Sequence, residues 1–151
     1  HCPFTVEEKQ AHAADFRSCP GGVSGVEERM PLLFSEGVVK GRLSLGQFVR
    51  VTSTNAAKIF GLYPKKGTLL PGSDADIVLI DPSRKRTIRK DNLHTTCGYS
   101  PYEGMTTDCT ISKVFLRGQL IAKDNVFLGQ SGYGRLLPRK RVVPYERIIR
   151  L

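Results

Sequence analysis

Apolar positions recur at helical spacing in the first sixty residues, then change to short runs bounded by turn residues, so the chain reads as helices followed by strands. Three hydroxyl residues stand three places before a Glu or Gln: Thr5-x-x-Glu8, Ser24-x-x-Glu27 and Ser44-x-x-Gln47. Each is a capping-box signal, in which a hydroxyl and a returning side chain satisfy the first free amides of a helix. The second predicts a helix over about Val26–Val39, with Met30, Leu33, Phe34, Gly37 and Val38 on one face and Pro31 tolerable only in its first turn. The third predicts a helix from Leu45, with Phe48, Val49 and Thr52 on one side. A short helix over Asn55–Phe60 is expected to stop at Gly61, whose freedom at positive φ suits a helix end, with Pro64 barring continuation.

Beyond Gly-Leu-Tyr-Pro-Lys-Lys-Gly the pattern belongs to a sheet. Asp76 and Asp81 bracket Ile-Val-Leu-Ile, a run too short for a helix, which predicts a buried strand with Lys85–Arg89 as its edge partner. Ile111–Leu116 and Gln119–Lys123 flank Arg117-Gly118, a two-residue hairpin turn, and Asp124-Asn125 forms a second turn into Val126-Phe127-Leu128. His94–Thr110 has no period and is expected to be a loop with a short helix. Repeats and low-complexity stretches are absent.

With 151 residues and 40% apolar content, the chain has the size of one domain and material for a core. No apolar run approaches the roughly 20 residues needed to cross a bilayer. The first residues, HCPFTVEEKQ, lack the basic start and hydrophobic centre of a signal peptide, so a soluble, cytoplasmic protein is expected. The first residue is His and not Met, which suggests processing or truncation. Cys2, Cys19, Cys97 and Cys109 are spaced too irregularly for a disulfide framework or a zinc knuckle and read as free, half-buried thiols.

The net charge of +9 raises a nucleic-acid reading. The charge is concentrated between Arg84 and Lys90 and from Arg135 to the end, and neither cluster is interleaved with aromatics that would stack on bases. A solvated strand edge and a basic tail that docks on a neighbouring subunit account for it better.

Candidate chemistry is sparse. No nucleophile elbow, Walker loop, GxGxxG turn or HExxH helix is present. His1, His12 and His94 are far apart, and His12 and His94 read as surface or structural residues. Asp74, Asp76 and Asp81 resemble a set of oxygen ligands, yet two of them bracket a strand, where aspartates commonly close turns. Gly72-Ser73-Asp74 is likewise read as a tight turn and not a phosphate nest. Gly21-Gly22 before the Ser24 box carries two readings of equal standing from local sequence: a plain turn feeding a helix, or a loop whose bare backbone lets a ligand approach free amides.

Several segments, in order, resemble the hydantoinase and dihydropyrimidinase family of cyclic-amide hydrolases: HCPF, GVEERMPLLFSEGV, QFVRVTSTNAAKIFGLYPKKGTLLPGSDADIVLIDP, YEGM, RGQLIAKD and GYGRLLPRK. The likeness runs through essentially the whole chain. It implies an α/β fold: the C-terminal fragment of a (β/α)8 metal-dependent hydrolase barrel, with helices over residues ~1–62, followed by strands of an accessory β-sandwich. The implied division is 1–66 for the end of the barrel, 67–128 for sandwich strands, and 129–151 for a basic tail in contact with a neighbouring subunit of a homotetramer.

The family opens cyclic ureides such as hydantoin or dihydrouracil into N-carbamoyl amino acids using two zinc ions held by four histidines, a carboxylated lysine and an aspartate. That aspartate would immediately precede His1, so the resemblance places no catalytic residue and no metal ligand in this chain. What carries over is the substrate-contacting loop, which corresponds to Gly21 and Gly22 after Pro20. The family's Asn is Gly21 here, leaving a backbone contact and removing a side-chain one. The expectation is an inactive piece of a two-zinc hydrolase, with a non-catalytic dihydropyrimidinase-like scaffold as the alternative, no membrane contact and no nucleic-acid partner.

Overall fold

The computed structural model describes residues 3–139. His1, Cys2 and the last part of the tail, residues 140–151, lie outside them. Helix α1 spans Val6–Gln10 and α2 Val26–Leu33; α3 spans Leu45–Val49 and α4 Asn55–Ile59. Strands β1 (Ile77–Asp81), β2 (Arg86–Thr87), β3 (Thr106–Thr107), β4 (Thr110–Leu116), β5 (Gln119–Lys123) and β6 (Val126–Phe127) follow.

Two of the three expected capping boxes form. The Glu8 amide donates to Thr5 Oγ1 and the Thr5 amide to Glu8 Oε2; Ser44 and Gln47 exchange the same pair of bonds. The Ser24 box does not form. Gly25 is the cap of α2, at φ 151°, and no side chain bonds to the free amides. Ser24 and Glu27 turn instead to residues about seventy positions later, a choice that local spacing cannot reveal.

Pro31 lies inside α2 and not in its first turn. Its carbonyl accepts from Ser35 Oγ at 2.8 Å as well as from the Phe34 amide, and beyond it the helix widens into a π-helical segment over Phe34–Val39. A hydroxyl inserted into the ladder below a proline is a recognised cause of such widening. A second π-helical segment, Arg50–Thr54, joins α3 to α4 without a break, so the two helices expected there form one continuous helical run. That run ends at Gly61 with φ 69°, as the sequence predicts.

The next segment, Leu62–Asp76, folds back over α4. Thr54 Oγ1 donates to the Gly67 carbonyl at 2.8 Å, and the Ser73 hydroxyl donates to the Pro64 carbonyl at 2.7 Å. Lys65 and Lys66 grip Asp74, and Lys66 also pairs with Asp76. The three aspartates therefore serve structure: Asp76 accepts from the Arg117 amide at 2.9 Å, and Asp81 closes a turn by accepting from the Ser83 amide and hydroxyl.

Four strands form an antiparallel sheet in the order β1-β4-β5-β6. Both hairpin turns have the left-handed backbone that two-residue hairpins require, at Arg117-Gly118 and at Asp124-Asn125. Bulges at Leu79/Ile80 and Val114/Phe115 twist the β1-β4-β5 ladder. The edge partner expected for β1 is corrected: β4 pairs with β1, while Arg86–Thr87 pairs with β3 in a separate two-stranded sheet. The Asp81–Ser83 turn redirects the chain, and Thr107 bonds through its hydroxyl to the Arg86 carbonyl.

The core is small and joins the two halves. Phe34 and Phe48 meet edge to face at 5.5 Å, Cys109 is fully enclosed beside them, and Met30, Leu33, Val38 and Ile80 pack around the cluster. Much apolar surface remains open. Phe16, Leu69 and Phe127 are 87%, 73% and 68% exposed, and within β1, read as a buried strand, Val78 and Leu79 are exposed.

Candidate functional site

Gly21 and Gly22 lie on the irregular loop entering α2. The front of this loop is held by Lys9 of α1, whose Nζ donates to the Pro20 carbonyl at 3.0 Å. A Cβ placed on Gly21 would meet nothing within 4 Å, and Gly22 has φ 135°, a conformation that side chains disfavour. Among the described residues, no acceptor takes the amides of Gly21, Gly22 or Val23. The loop therefore offers bare backbone donors to solvent at the entrance to a helix, where partial positive charge gathers.

The rear of the loop is fastened by residues of the strand half. Ser24 Oγ donates to the Tyr99 carbonyl at 3.2 Å, the His94 amide donates to Glu27 Oε2 at 2.9 Å, and Ser100 Oγ donates to Glu28 Oε1 at 2.8 Å. His94 Nδ1 lies 3.2 Å from the same Glu27 oxygen, and Arg86 approaches Glu27 Oε1 at 3.7 Å. A hollow of about 300 Å³ between Ser24–Glu28 and His94–Thr96 separates these segments. The sequence reading missed this set of contacts. Its one local signal was Gly25, which stands between Ser24 and the first helical residue and allows the backbone turn that frees the serine from capping.

A larger cleft of about 750 Å³ lies between α2, Arg84–Arg86 and the strands β4 to β6. Three of its cations are paired, Arg84 with Asp124 at 3.1 Å, Lys85 with Asp108 at 2.8 Å, and Arg86 with Glu27, while Lys113 and Lys123 line it as well. Its floor includes Ile111, Val114, Ala122 and Phe127. Among the described residues that line it, none pairs a nucleophile with a base.

The titrating groups with displaced affinities have structural causes. Lys65 and Lys66 hold the Asp74 carboxyl down to about 2. Burial opposes it, yet Asp76 and Asp74 raise the Lys66 ammonium. At Cys97 burial is outweighed by hydrogen bonds with Thr95, the Tyr99 carbonyl and Ser24, which lower the thiol; burial raises Cys109. Cys19 is half-buried and also free.

Among the described residues, no three His, Cys, Asp or Glu side chains converge on a point where a metal ion would sit. His12 is exposed, and His94 is engaged with Glu27. These residues do not fit a two-metal centre, and His1 lies outside the described residues. The described part of the tail turns back on its own chain, with the Arg117 guanidinium 4.1 Å above the Tyr133 ring.

Comparisons with known proteins bear on the family and the fold. The Amidohydrolase family matches residues 11–121. A D-phenylhydantoinase of Escherichia coli is 48% identical over 145 residues, covering 95% of this chain and 32% of its own length. Among solved structures, the dihydropyrimidinase of Brevibacillus agri matches with TM-score 0.91 and 44% identity over 95% of this chain and 31% of its own. A D-hydantoinase (dihydropyrimidinase) of a Thermus species matches with TM-score 0.90 and 42% identity over 94% and 31%. The chain thus spans about a third of the length of the relatives it matches. Its helices and sheet are a portion of their α/β fold. The chain belongs to the amidohydrolase family.

Proposed function

We propose that this chain is the C-terminal part of a cyclic-amide hydrolase of the hydantoinase or dihydropyrimidinase kind. In this reading residues 1–66 close the barrel, 67–128 supply strands of a sandwich, and 129–151 contact a neighbouring subunit in a tetramer. The observation that carries it is a match over 95% of this chain, at TM-score 0.91, to one-third of a dihydropyrimidinase. The open apolar surface at Phe16, Leu69 and Phe127 supports it, because a monomer rarely leaves so many large apolar side chains uncovered.

The chemistry is hydrolysis of a ring amide: water adds at the carbonyl carbon, the C–N bond breaks, and the ring nitrogen leaves with a proton as part of a carbamoyl group. Among the described residues no three metal-ligating side chains converge to hold an ion that would activate that water. The two zinc ions of the proposal belong to the remainder of the whole protein, and the isolated chain is expected to be inactive. Its own contribution is binding. The unpaired amides at Gly21 and Gly22 donate to an oxygen of the planar ring, and glycine at both positions lets the ring lie against the backbone. A cytoplasmic location accompanies the proposal; no helix among the described residues is long and apolar enough to cross a membrane.

A chimera tests the reading. The matched third of the Escherichia coli D-phenylhydantoinase is replaced by this chain, and ring opening of hydantoin is followed by its N-carbamoyl product. An active chimera supports the proposal. A folded, zinc-loaded chimera without ring-opening activity contradicts it.

A further inference from the structure

The glycine loop poses a mechanical problem. Gly21, Gly22 and Gly25 fall within five positions, and Gly22 and Gly25 sit at φ 135° and 151°. A segment this permissive samples many conformations unless its surroundings hold it. Lys9 fixes only the front.

The rear is held from the strand half of the molecule. Glu28 is 3% exposed, and the one hydrogen bond found for its carboxyl among the described residues comes from Ser100. The Ser100 hydroxyl is itself oriented, because it accepts from the Tyr102 amide at 3.1 Å while it donates to Glu28. Beside it the Tyr102 ring lies so close to Gly25 that a Cβ there would approach Cε2 to 3.3 Å. Ser24 and Glu27 bond to the same strand-side segment at Tyr99 and His94. Four of the five positions at the base of the loop, Ser24, Gly25, Glu27 and Glu28, thus meet one segment from 94 to 102.

We propose that Ser100, acting through Glu28, is a positioning residue that fixes the base of the Gly21–Gly22 loop, so that the strand half sets the affinity of the loop for its ligand. The proposal rests on the reading that this loop contacts the ring. Ser100 touches no reacting atom. Its removal leaves a buried carboxylate without its donor and frees a glycine-rich hinge, which raises KM and leaves kcat near its original value.

Two measurements test this. Exchange of the amides that are bonded at the base of the loop, His94 to Glu27 Oε2 and Arg29 to the Gly25 carbonyl, is compared in the chain and its Ser100→Ala variant, with β4 and β5 as internal reference. Their exchange is expected to accelerate about tenfold, the size of a lost hydrogen bond to a charged group, with the strands unchanged. In the chimera, Ser100→Ala is expected to raise KM for hydantoin about tenfold with kcat within about twofold, and Ser100→Thr, which keeps the hydroxyl, to restore it. Glu28→Gln keeps an acceptor and gives the same pattern at smaller amplitude, which covers a failure of the alanine variant to fold. Unchanged exchange of these two amides overturns the proposal, as does equal acceleration in β4 and β5, which marks a general loss of stability. An inactive unmutated chimera sinks the functional reading instead, and the exchange arm then decides the positioning role by itself.

Discussion

Replacing Gly67 by Ala probes the contact that folds the Leu62–Asp76 segment onto the helices. Gly67 has φ 82°, and a Cβ built there would stand 2.5 Å from the Ala57 Cβ and 3.2 Å from the Thr54 Cα. The left-handed backbone costs an alanine about 1–2 kcal/mol. Carbon atoms rest at about 3.5–4.0 Å, so the approach to Ala57 is short by about 1 Å and forces a shift worth about 1–3 kcal/mol in a packed region. The two terms together predict destabilisation of about 2–5 kcal/mol. Ala57→Gly in the same chain removes the facing methyl and separates them. The double variant should recover about 1–3 kcal/mol of coupling, while the backbone term persists. Urea unfolding followed by tyrosine fluorescence reports both values, since the chain has five tyrosines and no tryptophan. Low protein concentration keeps the exposed apolar faces from associating. If Gly67→Ala is neutral, or if Ala57→Gly recovers nothing, the close packing of this segment is refuted.

Two further stability predictions follow from the core and from the lysine clasp, beside those for Ser100 and the chimera. Phe48 is 2% exposed and stacks edge to face on Phe34, so Phe48→Ala should cost about 3–5 kcal/mol by urea unfolding; a cost near that of a surface change would show that the small core does not hold the halves together. The Asp74 carboxyl titrates at about 2 in the folded chain, against about 3.9 when unfolded. The unfolded chain therefore takes up that proton first. The contribution of Asp74 is complete above pH ~4 and is lost as pH falls towards about 2. The difference in urea midpoint between the parent and Asp74→Asn should shrink over that window, and a difference independent of pH would dismiss the clasp.

Local features of this fold are legible in the sequence because their causes lie within a few residues. Thr5 and Ser44 cap helices through partners three positions on, and Arg117-Gly118 and Asp124-Asn125 turn as dipeptides of their kind do. Failures appear where a distant partner competes. Ser24 has the spacing of a cap, but the Tyr99 carbonyl takes its hydroxyl. Pro31 should confine itself to a first turn, yet Ser35 and the packed neighbours of Phe34 stabilise a widened helix below it. Lys85–Arg89 looked like a partner of β1, but β4 occupies that edge.

The candidate loop at Gly21–Gly22 is visible in sequence as a run of glycines, and its likeness to a substrate loop comes from the family pattern. Its fastening is not visible, because Glu28 and Ser100 are 72 residues apart and neither belongs to a motif. Val78 and Leu79 illustrate a different limit. Their apolar character fits a buried strand, yet among the described residues both are exposed.

The central claim is that this chain supplies the ring-contacting loop of a cyclic-amide hydrolase but none of its metal chemistry. The most direct measurement is hydantoin ring opening, with bound zinc counted in the same samples, for the isolated chain and for the Escherichia coli chimera side by side. The account predicts an active, zinc-loaded chimera and an isolated chain with neither stoichiometric zinc nor turnover. An isolated chain that holds two zinc ions and opens the ring, or a zinc-loaded chimera that cannot, would contradict it.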